Sequence, residues 1–153
     1  PEEIWAAYRA KERPCLVLAK CNRGVDRETT RNMPKRNTAQ TLLVAPYYGA
    51  DQDAQRAGYN TEFLDRVRHL KYPQFFWDKL PIGGTKESVL RIDQLQPIGW
   101  SPDSFKHMGY KLTEEALEII DEIFQLYLFD RVEEDGDLYG FIDLMNQTFY
   151  QDP

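Results

Sequence analysis

The apolar positions of the chain fall into short blocks with two different periods. "EIWAAY" (Glu3 to Tyr8) and "CLVLA" (Cys15 to Ala19) are apolar runs separated by a charged turn, the pattern of a β-hairpin. Residues 20–40 are polar, basic and without period, which predicts a long exposed connection. "QTLLVAPYYG" (Gln40 to Gly49) reads as a third strand, and Pro46, which has no N–H to donate, predicts a sheet edge or bulge within it. The period then lengthens. Phe63, Leu64, Val67 and Leu70 recur at helical spacing behind a cap at Asn60 or Thr61. "YPQFFWDKLP" (Tyr72 to Pro81) returns to strand character, with Phe76 on the face opposite to Phe75 and Trp77. "SVLRI" (Ser88 to Ile92) predicts a further strand, and "DQLQPIGW" predicts one helical turn leading into a last short strand.

The longest periodic segment is "TEEALEIIDEIFQLYLF". Thr113 is placed to cap it, Glu114 and Glu115 sit where the helix dipole favours anions, and Ala116, Ile119, Ile120, Ile123, Phe124 and Tyr127 make one apolar face. The acidic remainder, with scattered aromatics, suits a short helix over 138–149 or a tail that orders on contact. Short strands in hairpins followed by a terminal helix predict an α+β, mainly β fold. The expected form is a small SH3-like antiparallel barrel with an insertion helix and a C-terminal helix. Residues 1–130 are expected to form the barrel domain, with 50–75 as an insertion, and 131–153 an acidic C-terminal tail.

Composition narrows the class. A chain of 153 residues, 42% of them apolar, suits one compact domain. No apolar run approaches the length of a bilayer span and the first residues lack signal-peptide order, so the expectation is a soluble, cytoplasmic protein with no membrane partner. Cys15 and Cys21 form neither a CxxC motif nor a metal-ligand set with His69 and His107, which argues against a disulfide or structural zinc; no cofactor is implied. The net charge of −6 conceals an asymmetry: residues 1–40 carry nine Lys/Arg against five Asp/Glu, and residues 111–153 carry two against twelve. A basic front can meet phosphates despite net acidity, because local field governs contact within a Debye length.

Chemistry enters at "KERPCLVL". An arginine at the mouth of an apolar strand cannot be buried cheaply, so the Arg13 guanidinium needs a carboxylate, a carbonyl or an arriving anion. The order "W-x-x-Y…ERPCLVL…TLLVAPYY…ESVLRIDQLQPIG…helix" resembles the MazF/PemK (Kid-like) toxins, over matching segments from Ile4 to Phe129. The resemblance implies an SH3-like barrel, a homodimer, control by an antitoxin protein, and cleavage of single-stranded RNA without a metal. It carries the family's arginine onto Arg13, where a planar fork suits a phosphate. Ser88 and Gln94 match polar groups of the family's groove. The family's Thr or Ser at the end of the third strand is replaced at Tyr48, beside Tyr47. A tyrosine can donate or accept a proton, but phenols ordinarily ionise at about pH 10 and need tuning to serve near neutrality.

The candidate catalytic residues are therefore Arg13 and Tyr48, and the candidate RNA-binding residues are Ser88, Gln94, Lys11, Arg23, Phe75 and Trp77, the last two as stacking platforms for unpaired bases. A catalytically silent barrel that binds RNA or a protein partner is the alternative. A functional Tyr48 near Arg13 would favour the enzyme, and a buried Tyr48 with Arg13 locked in an internal salt bridge would favour the silent module. The acidic segment 131–153 is expected either to be a solvated terminus or to dock on its own basic groove, or on that of a dimer mate, and inhibit RNA binding, as a tethered segment can even when intrinsically weak.

Overall fold

A computed structural model describes residues 12–20, 28, 31–32, 41–50, 59–82, 86–99, 105–131 and 136–149. Among the described residues five strands run β1 (Cys15–Lys20), β2 (Thr41–Gly49), β3 (Phe75–Leu80), β4 (Lys86–Arg91) and β5 (Gln96–Gly99), with a short 3-10 turn at Ile92–Gln94. The described residues also form the helices α1 (Thr61–Arg68), α2 (Glu114–Phe129) and α3 (Asp137–Phe149). The fold is α+β, a curled antiparallel half-barrel with the expected helices after and within it. The predicted strand at Glu3 to Tyr8 lies outside the described residues.

β2 organises the sheet because it serves two partners along one edge. Its first half pairs with β5, from Thr41 opposite Gly99 to Val44 opposite Gln96, and its second half with β4, from Tyr47 opposite Leu90 to Gly49 opposite Ser88. Pro46 sits in the gap between them. The Tyr47 N–H bonds Pro14 O on the β1 side at 2.8 Å, so by alternation position 46 faces the other edge, where no ladder bond is made. This is the unpaired edge that the proline predicts, and it is where β2 changes partner from β5 to β4.

The register sorts side chains onto two faces. Tyr47, Leu90 and Phe76 form one cross-strand row in the main core, with Ile120 and Ile123 of α2 covering them. Trp77 stands opposite Val89 and Phe75 opposite Arg91 on the reverse face, where Phe75 and Val89 join Leu64 and Val67 of α1 in a second cluster. Asn60 caps α1 by accepting from the Phe63 N–H at 2.7 Å. Phe63 makes an edge contact with Phe75 at 5.4 Å and stacks on Tyr72 at 5.7 Å. Insertion and strand thus share a small aromatic core.

Thr113 caps α2 through the Ala116 N–H, and Asp130, in left-handed conformation with φ 52°, ends it. Its buried face is Ile120 and Ile123, with Ile119 and Phe124 packed alongside; Tyr127, assigned to that face from the periodicity, is instead an exposed ring. Glu115 in the first turn has its carboxyl held below the usual range, first by a backbone hydrogen bond and then by Thr113.

Residues 137–149 take the helical alternative. Leu138 is buried in the main core beside Leu90 and Ile123, and Phe141 stacks on Phe76 with centroids 6.1 Å apart. The core therefore draws on residues from both sides of position 130. Glu122 of α2 caps this helix: its two carboxylate oxygens accept from the Asp137 N–H at 2.7 Å and the Leu138 N–H at 3.1 Å. Gly136 makes room for that approach, since a Cβ there would overlap the Glu122 carboxylate. Gly136→Ala is expected to displace the carboxylate and cost about 1–2 kcal/mol, the worth of a lost charged cap. A urea unfolding curve checks this. If Glu122→Gln already removes most of that stability, adding Gly136→Ala should change little.

Candidate functional site

The reverse face of β2 and β4, with the start of β1, gathers the polar groups. Tyr48 lies next to Tyr47 in sequence but on the opposite face, paired with Val89, and is half-buried. Arg13 is exposed just ahead of β1, and its Cζ lies 3.9 Å from the centroid of the Tyr48 ring. That distance is a stacked cation–π contact, which holds the guanidinium plane while leaving its N–H edge available to an anion. None of the ion pairs among the described residues uses Arg13.

The Tyr48 hydroxyl donates to Gln94 Oε1 at 2.5 Å. Gln94 stands at the end of the 3-10 turn, so Arg13, Tyr48 and Gln94, from three separate elements, converge at one place. Two residues passed over in the sequence complete it. Arg91, the last residue of β4, grips Asp93 with two bonds, Nε to Oδ1 at 2.7 Å and an Nη to Oδ2 at 2.5 Å. The same guanidinium lies 5.6 Å from the Tyr48 centroid and 4.8 Å from that of Phe75, and donates to the Tyr59 hydroxyl at 3.3 Å. The Asp93 pairing raises the Arg91 pKa, so this side chain is a permanent cation. By holding Asp93, Arg91 fixes the turn that presents Gln94.

Other expected site residues lie elsewhere. Ser88 is buried on the core face and Phe75 is buried in the α1 cluster, so neither offers a surface to RNA. Phe76 fills the main core, and both faces of the aromatic strand are therefore packed. Trp77 is half-buried, with the Arg68 Cζ at 5.6 Å and the Lys79 Nζ at 5.3 Å from its ring. Lys11 and Arg23 lie outside the described residues. His69 is buried and bonds Asp65 O through Nδ1 at 2.7 Å, a structural role, whereas His107 is exposed. Among the described residues no group of three or more His, Cys, Asp or Glu side chains is placed to hold a metal ion, and no helix is long and apolar enough to cross a membrane. Among the described residues, the α3 N-terminus donates to Glu122 and Leu138 and Phe141 pack into the main core, which seats α3 beside α2, while Tyr139 and Leu144 are exposed.

Tyr47 is excluded from proton transfer near neutrality. It is buried and donates to Asp78 Oδ2 at 3.0 Å; burial first, then the Asp78 charge and hydrogen bond, push its pKa well up. The sign follows: a raised folded-state pKa gives stability that is complete below the ordinary phenol value of about 10 and is lost as pH rises through the folded value. Absorbance titration near 295 nm should therefore show Tyr47 ionising only as the chain unfolds in alkali. Subtracting the curve of Tyr47→Phe checks this; a proton attributable to Tyr47 released from the folded chain near pH 10 would contradict it.

Cys15 adjoins the site, with its Sγ 3.5 Å from Arg13 O and its thiol pKa raised by burial more than the Arg13 charge lowers it. It is a thiol rather than a thiolate at neutral pH and no nucleophile is assigned to it.

No protein-family model, curated protein or solved structure gives a significant match to the chain.

Proposed function

We propose that this chain is a MazF/PemK-like endoribonuclease that cleaves single-stranded RNA by attack of a ribose 2′-hydroxyl on the neighbouring phosphate. The observation that supports it is the stacking of an exposed Arg13, at 3.9 Å, on a Tyr48 whose hydroxyl meets Gln94. Three of the residues that the resemblance names, Arg13, Tyr48 and Gln94, lie far apart in the chain yet meet, and among the described residues none of the ion pairs uses Arg13.

In this reading Arg13 holds the scissile phosphate and the charge that grows on its oxygens. The 2′-oxygen bonds phosphorus, the bond from phosphorus to the 5′-oxygen breaks, and the products are a 2′,3′-cyclic phosphate and a free 5′-hydroxyl. The 2′-proton needs an acceptor, and the carboxylate of the cluster is Asp93, oriented by Arg91 and with lone pairs beyond the two bonds it accepts. Tyr48 is the donor to the departing 5′-oxygen, leaving Gln94 as it transfers its proton. The chain then works as a homodimer restrained by an antitoxin protein, as the resemblance implies.

A second reading is a silent barrel that binds RNA or a protein partner, and one observation favours it: the Tyr48 proton is already spent on Gln94. Incubating the chain with a long mixed-sequence RNA in EDTA and mapping the ends separates the two. Site-specific cuts with cyclic phosphate ends support the nuclease; retention of RNA without cuts supports the silent module.

A further inference from the structure

Away from the Arg13 cluster, a groove of about 590 Å³ with a largely apolar lining runs between β1, β2 and the flank of α2. Val17, Leu43 and Leu95 line one side and Leu117, Phe124 and Leu128 the other. Several of these side chains are half in water: Val17 is 52% exposed, Leu117 46% and Leu128 51%. Folding gains nothing from leaving them open, and scattered exposed apolar residues do not ordinarily line up along one trough. Leu117, Phe124 and Leu128 follow one another at intervals of seven and four, a stripe along a single helix face. From Leu117 to Leu128 is about 16 Å at 1.5 Å per residue, the length of three turns of a partner helix.

The rim chooses the partner. Glu118 and Asp121 edge the groove, and α2 carries no basic residue along its length. A second copy offering the same acidic face would set like charges against each other, and so would the chain's own acidic α3. We infer that this groove is a docking site for a basic amphipathic helix of a partner protein, with the apolar stripe seated between β1 and α2 and Lys or Arg side chains reaching Glu118 and Asp121. The site is separate from the Arg13 cluster and does not depend on the ribonuclease reading.

The test uses the full chain and two synthetic helices of about 14 residues with an identical leucine stripe, one flanked by lysines and one by glutamates. Fluorescence anisotropy should show the lysine helix binding at least roughly tenfold more tightly than its glutamate twin. The double change Glu118→Lys, Asp121→Lys should reverse that order, and Leu128→Ala should weaken both helices. Equal binding of the twins, absence of binding, or a preference unmoved by the charge reversal would overturn the inference. So would light scattering that finds the free chain dimeric through this face, with Leu128→Lys returning it to a monomer.

Discussion

Under the proposed ribonuclease function, replacing Arg13 by alanine should lower RNA cleavage by about 10²–10³-fold, the usual consequence of removing one group aimed at transition-state charge. Arg13 is exposed and makes no ion pair among the described residues, so the folded chain does not depend on it and its thermal unfolding should move little. The loss should fall on the rate of the bound complex more than on RNA affinity, because a phosphate contact that strengthens as charge develops acts on the transition state. Arg13→Lys keeps the charge but loses the planar fork that stacks on Tyr48 and grips two oxygens, and should recover only part of the rate. Single-turnover kinetics at saturating protein measure this. Full recovery with lysine would mean that charge alone matters and that the stacked geometry is incidental.

The second large effect is on stability. Leu138 is 2% exposed and sits in the main core, so Leu138→Ala should cost about 2–5 kcal/mol in urea unfolding. Ending the chain after Asp130 removes Leu138, Phe141 and Ile142 together and uncovers the core residues they pack against. That shortened chain should therefore be unfolded or aggregated. A truncated chain of unchanged stability would mean that α3 is an appendage.

The legible and illegible parts of the sequence divide along physical lines. Where a segment's own residues decide its structure, reading was sufficient: Asn60 and Thr113 cap their helices because short polar side chains reach the free N–H groups, and Pro46 marks the gap in the β2 ladder because it lacks a donor. Period 2 correctly set Phe75 and Trp77 against Phe76, but alternation says which face a ring takes and not what covers it. The cover for Phe75 is α1, supplied by the insertion. The carboxylate that holds Tyr47 is Asp78, two strands away across β4, and only the register of three strands brings them together.

The site was half legible. Arg13, Tyr48 and Gln94 were named by resemblance and do meet, yet Arg91 and Asp93 were passed over as part of a strand and a turn. A signal was present. Two opposite charges at i and i+2 where an apolar strand ends, directly before Gln94, have little reason to face water separately. Ser88 misled because a hydroxyl in a strand suits a groove and a core equally, and the choice belongs to the sheet's curvature.

The central claim is that the Arg13 cluster directs a 2′-hydroxyl at phosphorus, and one pair of substrates addresses it. An RNA oligomer containing a mapped cut site and its twin with a single 2′-deoxy sugar at that position would be offered to the intact chain in EDTA. The account predicts a cut in the first, ending in a 2′,3′-cyclic phosphate, and none in the second. Equal cutting of both, or no cut in any RNA, would contradict it.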